Sequence, residues 1–331
     1  MQPAPARPAP AVARQPQLPA GVRVEAVDAE RSGQRLDNFL STRLKGVPKS
    51  AVYRVLRQGQ VRVNGKRAKP ETRLLTGDLV RIPPMRVDDP AAPAPPSDSL
   101  RQTLADRILA EDADFLVLDK PRGLAAHGGS GVSVGAIEAL RAIRPHQSIE
   151  LVHRLDRDTS GLLLLAKKHS ALRKVQQLIR ENRVEKRYFA LLKGAPARER
   201  FEVDVALRKN QLRGGERMVE VDEDAGKQSL SRFKVVQRFA GCTLVEVQII
   251  TGRTHQIRVH AMHAGHPVAG DPKYGDEEFN QAMKAHGLKR LFLHAHSLRF
   301  PWGDQGAERH YTAPLPAELR TVLDVLALGR D

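Results

Sequence analysis

VEKRYFALLKG, at residues 184–194, begins a series of strand-like runs that continues with FEVDVAL (201–207), SRFKVVQRF (231–239) and CTLVEVQII (242–250). These runs are rich in β-branched and aromatic residues, which favour extended structure. No helical pattern separates them, whereas the strands of a doubly wound parallel sheet alternate with helices. The series therefore predicts an α+β fold built on a mixed, largely antiparallel sheet.

The flanking sequence adds further strands and helices to this sheet. Apolar runs at 114–121, 161–167 and 290–300 predict strands, and the fully apolar GLLLLAK (161–167) predicts a buried one. Amphipathic patterns predict helices at 131–143, 169–182 and 316–328. Cys242, the only cysteine, lies within an apolar run and is interpreted as a buried strand residue.

Two Pro/Ala-rich stretches divide the chain. The composition of residues 1–22 predicts a disordered tail. That of residues 85–100 predicts an extended, semi-rigid linker. The sequence therefore indicates a small domain at 23–84 and a large domain at 101–331.

Helical and hairpin patterns fill the small domain. Leu36, Phe39, Leu40 and Leu44 share one helical face, and a second helix that Ser50 can cap follows. The dipeptide Asn64-Gly65 then favours a type I′ hairpin turn.

The small domain is also strongly basic. Residues 33–84 hold twelve Lys and Arg against three Asp and Glu. This concentration favours RNA binding over a merely solvated surface, and the segment resembles an S4-type RNA-binding domain. The resemblance makes Arg35, Arg54 and Arg62 candidate RNA contacts.

The charge of the whole chain points the same way. The 331 residues carry a formal net charge of +16, which suits a polyanionic partner. No apolar run approaches the ~20 residues of a membrane span, so a membrane partner is not expected. A single cysteine excludes an intrachain disulfide and fits a reducing cytoplasm.

Three stretches could carry chemistry. Asp156 lies between Arg154 and Arg157, and an arginine neighbour favours the ionised carboxylate. Such a carboxylate either takes part in chemistry or forms a structural ion pair with an arginine. Tyr188 is either a core residue or a stacking platform for an extruded base. In TGRTHQIRVHAMHAGHP (251–267), Thr254 could cap a helix that presents Arg258.

Metal and nucleotide sites are not indicated. The four histidines of the 251–267 stretch lack a zinc-site pattern with an accompanying acid or thiol. We interpret them as satisfied polar residues or RNA contacts. The glycine cluster HGGSG (127–131) lacks the Gly-Lys-Ser/Thr of a phosphate-binding P-loop and is interpreted as a flexible loop.

Four blocks in order give the large domain a family resemblance. HRLDRDTSGLLLLAK, LDKPRG (118–123), KRYFALL around Tyr188 and GRTHQIRVH (252–260) resemble the RluA-type family of pseudouridine synthases. The resemblance covers about 33–323. VPKS (47–50), RIPP (81–84), HGGSG and the inserted GGERMV (214–219) resemble the branch that acts on large-subunit ribosomal RNA.

The resemblance implies uridine isomerisation by a monomer that needs no cofactor. It makes Asp156 the essential carboxylate, as a nucleophile or as the base that produces a glycal. Tyr188 would stack on the flipped base, and Arg258 would pair with Asp156 and hold it ionised. The expected RNA contacts are Arg154, which would fill the space the uridine leaves, and Lys120, Arg122, Arg253 and His255.

Two other functions remain open at this point. A non-catalytic RNA-binding assembly factor would have the same basic small domain but no need of Asp156. A hydrolytic nucleosidase would use a second carboxylate as acid, and Asp158 is the nearest candidate.

Overall fold

The computed structural model describes residues 21–44, 47, 49–85, 96–128, 134–211, 217–303 and 307–329. The chain divides into two compact units, residues 1–92 and 93–331. Residues 1–20 of the predicted tail, 86–95 of the predicted linker, 129–131 of HGGSG and 214–216 of GGERMV lie outside the described residues. Among the helices that are described, none is both long and apolar enough to cross a membrane.

The first unit packs two helices on a four-stranded antiparallel sheet. Its elements are β1 (Arg23–Ala26), α1 (Leu36–Arg43), α2 (Lys49–Arg57), β2 (Arg62–Val63), β3 (Lys66–Arg67) and β4 (Leu79–Ile82). The strand order is β1-β4-β2-β3. Asn64 and Gly65 both have positive φ, 49° and 75°, as a type I′ turn requires. The apolar face of α1 is buried, with Leu36, Phe39 and Leu40 fully excluded from solvent.

The second unit contains eleven strands and six helices within the described ranges. The strands are β5 (Ile108–Glu111), β6 (Phe115–Lys120), β7 (Glu150–Leu151), β8 (Ser160–Ala166), β9 (Glu185–Lys193), β10 (Arg200–Gln211), β11 (Arg217–Val221), β12 (Lys227–Phe239), β13 (Cys242–Ile249), β14 (Leu293–Pro301) and β15 (Glu308–Thr312). The helices are α3 (Asp98–Ala105), α4 (Ala136–Ile143), α5 (His169–Arg180), α6 (Gln256–His263), α7 (Glu277–Ala285) and α8 (Ala317–Leu328).

The predicted linker 85–100 extends too far toward the C-terminus. The side chain of Ser97 accepts a hydrogen bond from Leu100 N at 3.2 Å and caps α3, which begins at Asp98. A Ser N-cap stabilises a helix start, and this local signal outweighs the nearby prolines.

One eleven-stranded sheet organises the second unit. Its order is β11-β10-β12-β13-β9-β14-β8-β6-β5, with β15 on β14 and β7 on β8. Among the described strand pairs only β14 and β8 are parallel. The prediction of an α+β fold on a largely antiparallel sheet is therefore confirmed.

Helices cover both faces of this sheet. Leu104, Leu140 and Ile257 from α3, α4 and α6 share one core with Tyr188 and Leu163. On the opposite face, α5 packs over β6 and β8, and α7 and α8 pack near Cys242. Cys242 is fully buried in β13, as the sequence predicted, and burial raises the pKa of its thiol to about 11. The α6 face of the sheet carries the candidate site.

Candidate active site

Asp156 lies in the turn that leads from β7 into β8. Thr159 N donates to Asp156 O at 3.2 Å and closes this turn. Gly161 follows with a φ of 108°, and a Cβ there would overlap the carbonyl oxygen of Ala295 in β14. Glycine at position 161 therefore lets β8 lie against β14 directly after the turn. This close packing fixes the turn, and with it the half-buried Asp156, beside two central strands.

Lys120 stabilises this turn through hydrogen bonds to backbone carbonyls. Its Nζ donates to the carbonyls of Pro121, Leu124 and Arg157 at 2.9, 2.8 and 3.2 Å, so all three ammonium hydrogens are used. The side chain is fully buried, and burial lowers the pKa of Lys120 to about 7. The expectation that Lys120 contacts phosphate is therefore wrong, because its ammonium has no path to RNA.

A small cavity of about 80 Å³ opens beside Asp156. Its walls come from the β7–β8 turn, β9, the β13–α6 region and β14: Arg154, Leu155, Asp156, Thr159, Tyr188, Ile249, Gly252, Arg253, His255, Gln256, Ile257, Arg258 and Leu293. Tyr188 is 6% exposed and belongs to the main core, so it is both a core residue and a cavity wall. Burial and then the charge of Asp156 raise the pKa of the Tyr188 phenol.

Arg258 does not pair with Asp156, contrary to the prediction. It forms a bidentate ion pair with Asp271, with Nε–Oδ2 and Nη2–Oδ1 distances of 2.7 and 2.6 Å. Both side chains are buried, and Asp271 also accepts from Lys273 N and Tyr274 N. Burial by itself would lower the pKa of Arg258. The hydrogen bonds and charge of Asp271 and, more weakly, the charge of Asp156 outweigh burial, so the pKa of Arg258 is raised. Arg258 is therefore a fixed cation near Asp156 rather than its partner.

The Asp156 carboxylate is open toward the cavity. Among the residues that the structure describes, its side chain forms no hydrogen bond or ion pair. The interpretation of Asp156 as a structural ion pair with a flanking arginine is therefore not supported. A carboxylate that lines a cavity without a local partner can act on a bound molecule.

The start of α6 differs from the prediction. His255, not Thr254, occupies the N-cap, and it does so in the left-handed region with a φ of 52°. The side chain of Gln256 compensates, because its Oε1 accepts from Arg253 N at 3.0 Å and from Thr251 Oγ1 at 2.7 Å. His255 Nδ1 lies 2.8 Å from Tyr274 Oη, and burial lowers the pKa of His255.

Two further histidines of the 251–267 stretch each have a partner at one ring nitrogen, although His260 Nδ1 is buried and has none among the described residues. His260 Nε2 lies 2.8 Å from Ser229 Oγ, and His266 Nδ1 lies 2.9 Å from the carbonyl oxygen of Lys193. Within the described ranges no group of three or more His, Cys, Asp or Glu could hold a metal ion.

Exposed arginines surround this region. Arg154 Nη1 lies 3.3 Å from His127 Nε2, Arg122 donates to Lys289 O at 3.0 Å, and Arg253 donates to Gln228 O at 3.2 Å. Arg157, which the sequence analysis did not select, is also exposed and donates to Gly123 O at 3.0 Å. These guanidiniums keep donors available to solvent, as phosphate contacts require.

In the first unit, Arg35 has a local partner. It donates to Asp37 at 3.1 and 2.6 Å, and Tyr53 Oη donates to the same carboxylate at 2.9 Å. The Arg35 side chain is nevertheless 40% exposed. Arg54 and Arg62 are exposed.

Comparisons with known proteins agree with this geometry. The model of the RNA pseudouridylate synthase family matches residues 114–263, and the S4 domain model matches residues 34–80. The ribosomal large subunit pseudouridine synthase C of Salmonella typhi is 52% identical over 309 residues, which cover 92% of this chain and 97% of that protein. The synthase of the same name from Escherichia coli K12 is 51% identical over 313 residues, which cover 93% and 98%. The structure of human RNA pseudouridylate synthase domain containing 4 superposes with a TM-score of 0.58 at 26% identity, covering 69% of this chain and 96% of that one.

Proposed function

We infer that this chain, which belongs to the RNA pseudouridylate synthase family, modifies large-subunit ribosomal RNA through the carboxylate of Asp156. The family resemblance predicted from the four sequence blocks is confirmed by relatives of about half identity over nearly the whole chain. As a member of this family, the protein is an isomerase that converts uridine in RNA to pseudouridine. Ribosomal RNA of the large subunit is the substrate that the names of its relatives suggest.

The observation that carries the proposal is the unpartnered Asp156 carboxylate in the wall of a cavity shared with Tyr188. Isomerisation breaks the C1′–N1 bond, turns the uracil and joins C5 to C1′. A carboxylate can assist by adding to C1′ or by removing a ribose proton. Either role needs an ionised group that faces the sugar, and Arg258 supplies nearby positive charge without blocking the carboxylate.

The remaining cavity residues fit the handling of a flipped nucleotide. Extrusion of a base from a stacked RNA costs a few kcal/mol, which contacts in the pocket must offset. We propose that the Tyr188 ring packs on the extruded uracil and that Arg154 occupies the place it leaves. Arg122, Arg253 and His255 would contact the neighbouring backbone.

We propose that the first unit anchors the RNA. Its match to the S4 domain model and the exposed Arg54 and Arg62 support this assignment. Arg35 would add a contact through the part of its guanidinium that Asp37 leaves free. Contacts of this kind position the enzyme and are not expected to read sequence.

The test is a pseudouridine map of large-subunit ribosomal RNA after incubation with the wild type or with Asp156→Asn. Carbodiimide labelling followed by primer extension reads each pseudouridine as a stop. We expect stops at a few discrete uridines with the wild type and none with Asp156→Asn, while RNA affinity stays within a few fold. Turnover by Asp156→Asn would refute the role of Asp156, and binding without any stops would refute the choice of RNA.

The two alternative functions are less well supported. A non-catalytic assembly factor does not fit membership in a family of isomerases. A nucleosidase would place a second carboxylate in the cavity, but Asp158 is exposed and does not contribute to the walls. Release of free uracil would be the sign of that activity. We further propose that the enzyme acts as a monomer in the cytoplasm without a cofactor; light scattering of the purified protein would test the monomer.

A further inference from the structure

Lys186 lies against the same cavity but has no part in the function described so far. It precedes Tyr188 by two positions in β9, so both side chains point to the same face of the sheet. Its Cα partner in β13 is Ile249, which lines the cavity. A Cβ on Gly252, another cavity residue, would lie 3.8 Å from Lys186 Nζ. The ammonium therefore lies within contact distance of the empty side-chain position at Gly252, a residue of the cavity wall.

The Lys186 side chain is largely buried, and its ammonium has no partner among the described residues. The residue is only 8% exposed, yet across the described ranges Nζ takes part in no hydrogen bond or ion pair. Burial lowers the pKa of Lys186 to about 8, and its charge adds to the effect of burial in lowering the pKa of His153. An uncompensated buried charge is unfavourable for folding.

The second buried lysine of this unit shows what a structural ammonium looks like here. Lys120 has three carbonyl oxygens within 3.2 Å, which satisfy all its hydrogens. Lys186 is nearly as buried, with 8% of the residue exposed against 0% for Lys120, and its ammonium has no such acceptors among the described residues. The missing acceptor is therefore expected to arrive with the substrate, on the side of the cavity.

We propose that Lys186 is a further catalytic residue, whose ammonium donates a hydrogen bond to a carbonyl oxygen of the flipped uracil. This inference rests on the proposed function, because it requires uridine in the Asp156 cavity. When the C1′–N1 bond breaks, its electron pair goes to the ring, and the negative charge spreads over N1 and both carbonyl oxygens. Lys186 stabilises that charge and keeps its own proton throughout.

The rest of the reaction balances without Lys186 as an acid. The turned ring uses the same electron pair to form the C5–C1′ bond. The proton on C5 is then lost, and N1 gains one, so that uridine and pseudouridine have the same atoms. An ammonium has three donors and no acceptor, so it favours a carbonyl oxygen over an amino group.

The experiment compares full-length wild type with Lys186→Met, Lys186→Arg and the matched control Lys120→Met. Single-turnover pseudouridine formation is followed on ribosomal RNA labelled with tritium at uracil C5, alongside the RNA dissociation constant and the thermal midpoint. Methionine has a similar length but no charge. We expect Lys186→Met to react roughly 100-fold more slowly, with RNA affinity within twofold and a thermal midpoint no lower than that of wild type. Lys186→Arg, which keeps a cation, should be faster than Lys186→Met.

Lys120→Met should have a lower thermal midpoint than wild type, because three carbonyl oxygens lose their donor. If Lys186→Met reacts at the wild-type rate, or is destabilised as Lys120→Met is, the proposal is overturned. A failure of the proposed function would look different, because wild type would then form no pseudouridine or Asp156→Asn would remain active.

Discussion

The buried pair of Arg258 and Asp271 allows stability and catalysis to be separated. The change is Asp271→Asn, which removes the counter-charge of Arg258 while nearly preserving the shape of the side chain. Arg258 and Asp271 are 3% and 1% exposed, so solvent cannot replace the lost partner. Breaking a buried ion pair by removing one partner costs about 3–5 kcal/mol.

That cost should be directly visible in unfolding. In a unit the size of residues 93–331, 1 kcal/mol corresponds to about 2–4 °C in Tm, so we expect Tm to fall by roughly 6–20 °C. Urea unfolding followed by circular dichroism gives the free energy itself. Asp276→Asn is the matched control, because Asp276 pairs with Lys193 at the surface, with side chains 32% and 40% exposed. Such a pair contributes less than about 1 kcal/mol.

The double variant Arg258→Met with Asp271→Leu completes the test. An apolar pair of similar size avoids the desolvation of two charges, so stability should exceed that of Asp271→Asn. Recovery should be only partial, because Lys273 N and Tyr274 N lose their acceptor. Pseudouridine formation should not return, because the cation near Asp156 is gone. A free energy of unfolding for Asp271→Asn within 1 kcal/mol of wild type would contradict the reasoning about stability. Recovery of turnover in the double variant would contradict the role of Arg258.

Three further predictions concern the cavity, the response to acid and the first unit. Tyr188→Phe should bind RNA as wild type does but react more slowly in single turnover if the hydroxyl takes part in proton transfer; an unchanged rate would confine Tyr188 to packing on the base. Burial lowers the pKa of His260 and His294 to about 4, against an ordinary value of 6.5. Between pH 6.5 and 4 these two histidines therefore bind protons in the unfolded chain but not in the folded one. The free energy of unfolding should fall as the pH drops through this range. Urea unfolding at several pH values checks this, and His294→Gln should flatten the decline. Replacing Arg54 and Arg62 with Gln should lower the slope of log affinity against log salt by up to about 2, and an unchanged slope in filter binding would mean that neither side chain contacts phosphate.

The sequence alone was sufficient for most of the longer elements and for the family. The period-two and helical patterns are local properties, so β6, β8, β9, β12, β13 and β14 and helices α4, α5 and α8 lie where these patterns predicted them. Strands β1, β5, β7, β11 and β15 were missed, because so few residues carry too weak a pattern to stand out, and helices α3 and α7 were missed as well. The motif around Asp156 was also visible, since a carboxylate between arginines is a feature of neighbouring residues.

Which charges meet was decided only by the tertiary structure. The sequence predicted that Arg258 pairs with Asp156, but the fold brings Arg258 to Asp271 instead. Lys120 and Lys186 look equally accessible in the sequence, but folding buries both, and only Lys120 finds carbonyl acceptors. Strand and helix patterns depend on residues a few positions apart. Burial and ion pairing depend on groups brought together from distant parts of the chain, which sequence spacing does not specify.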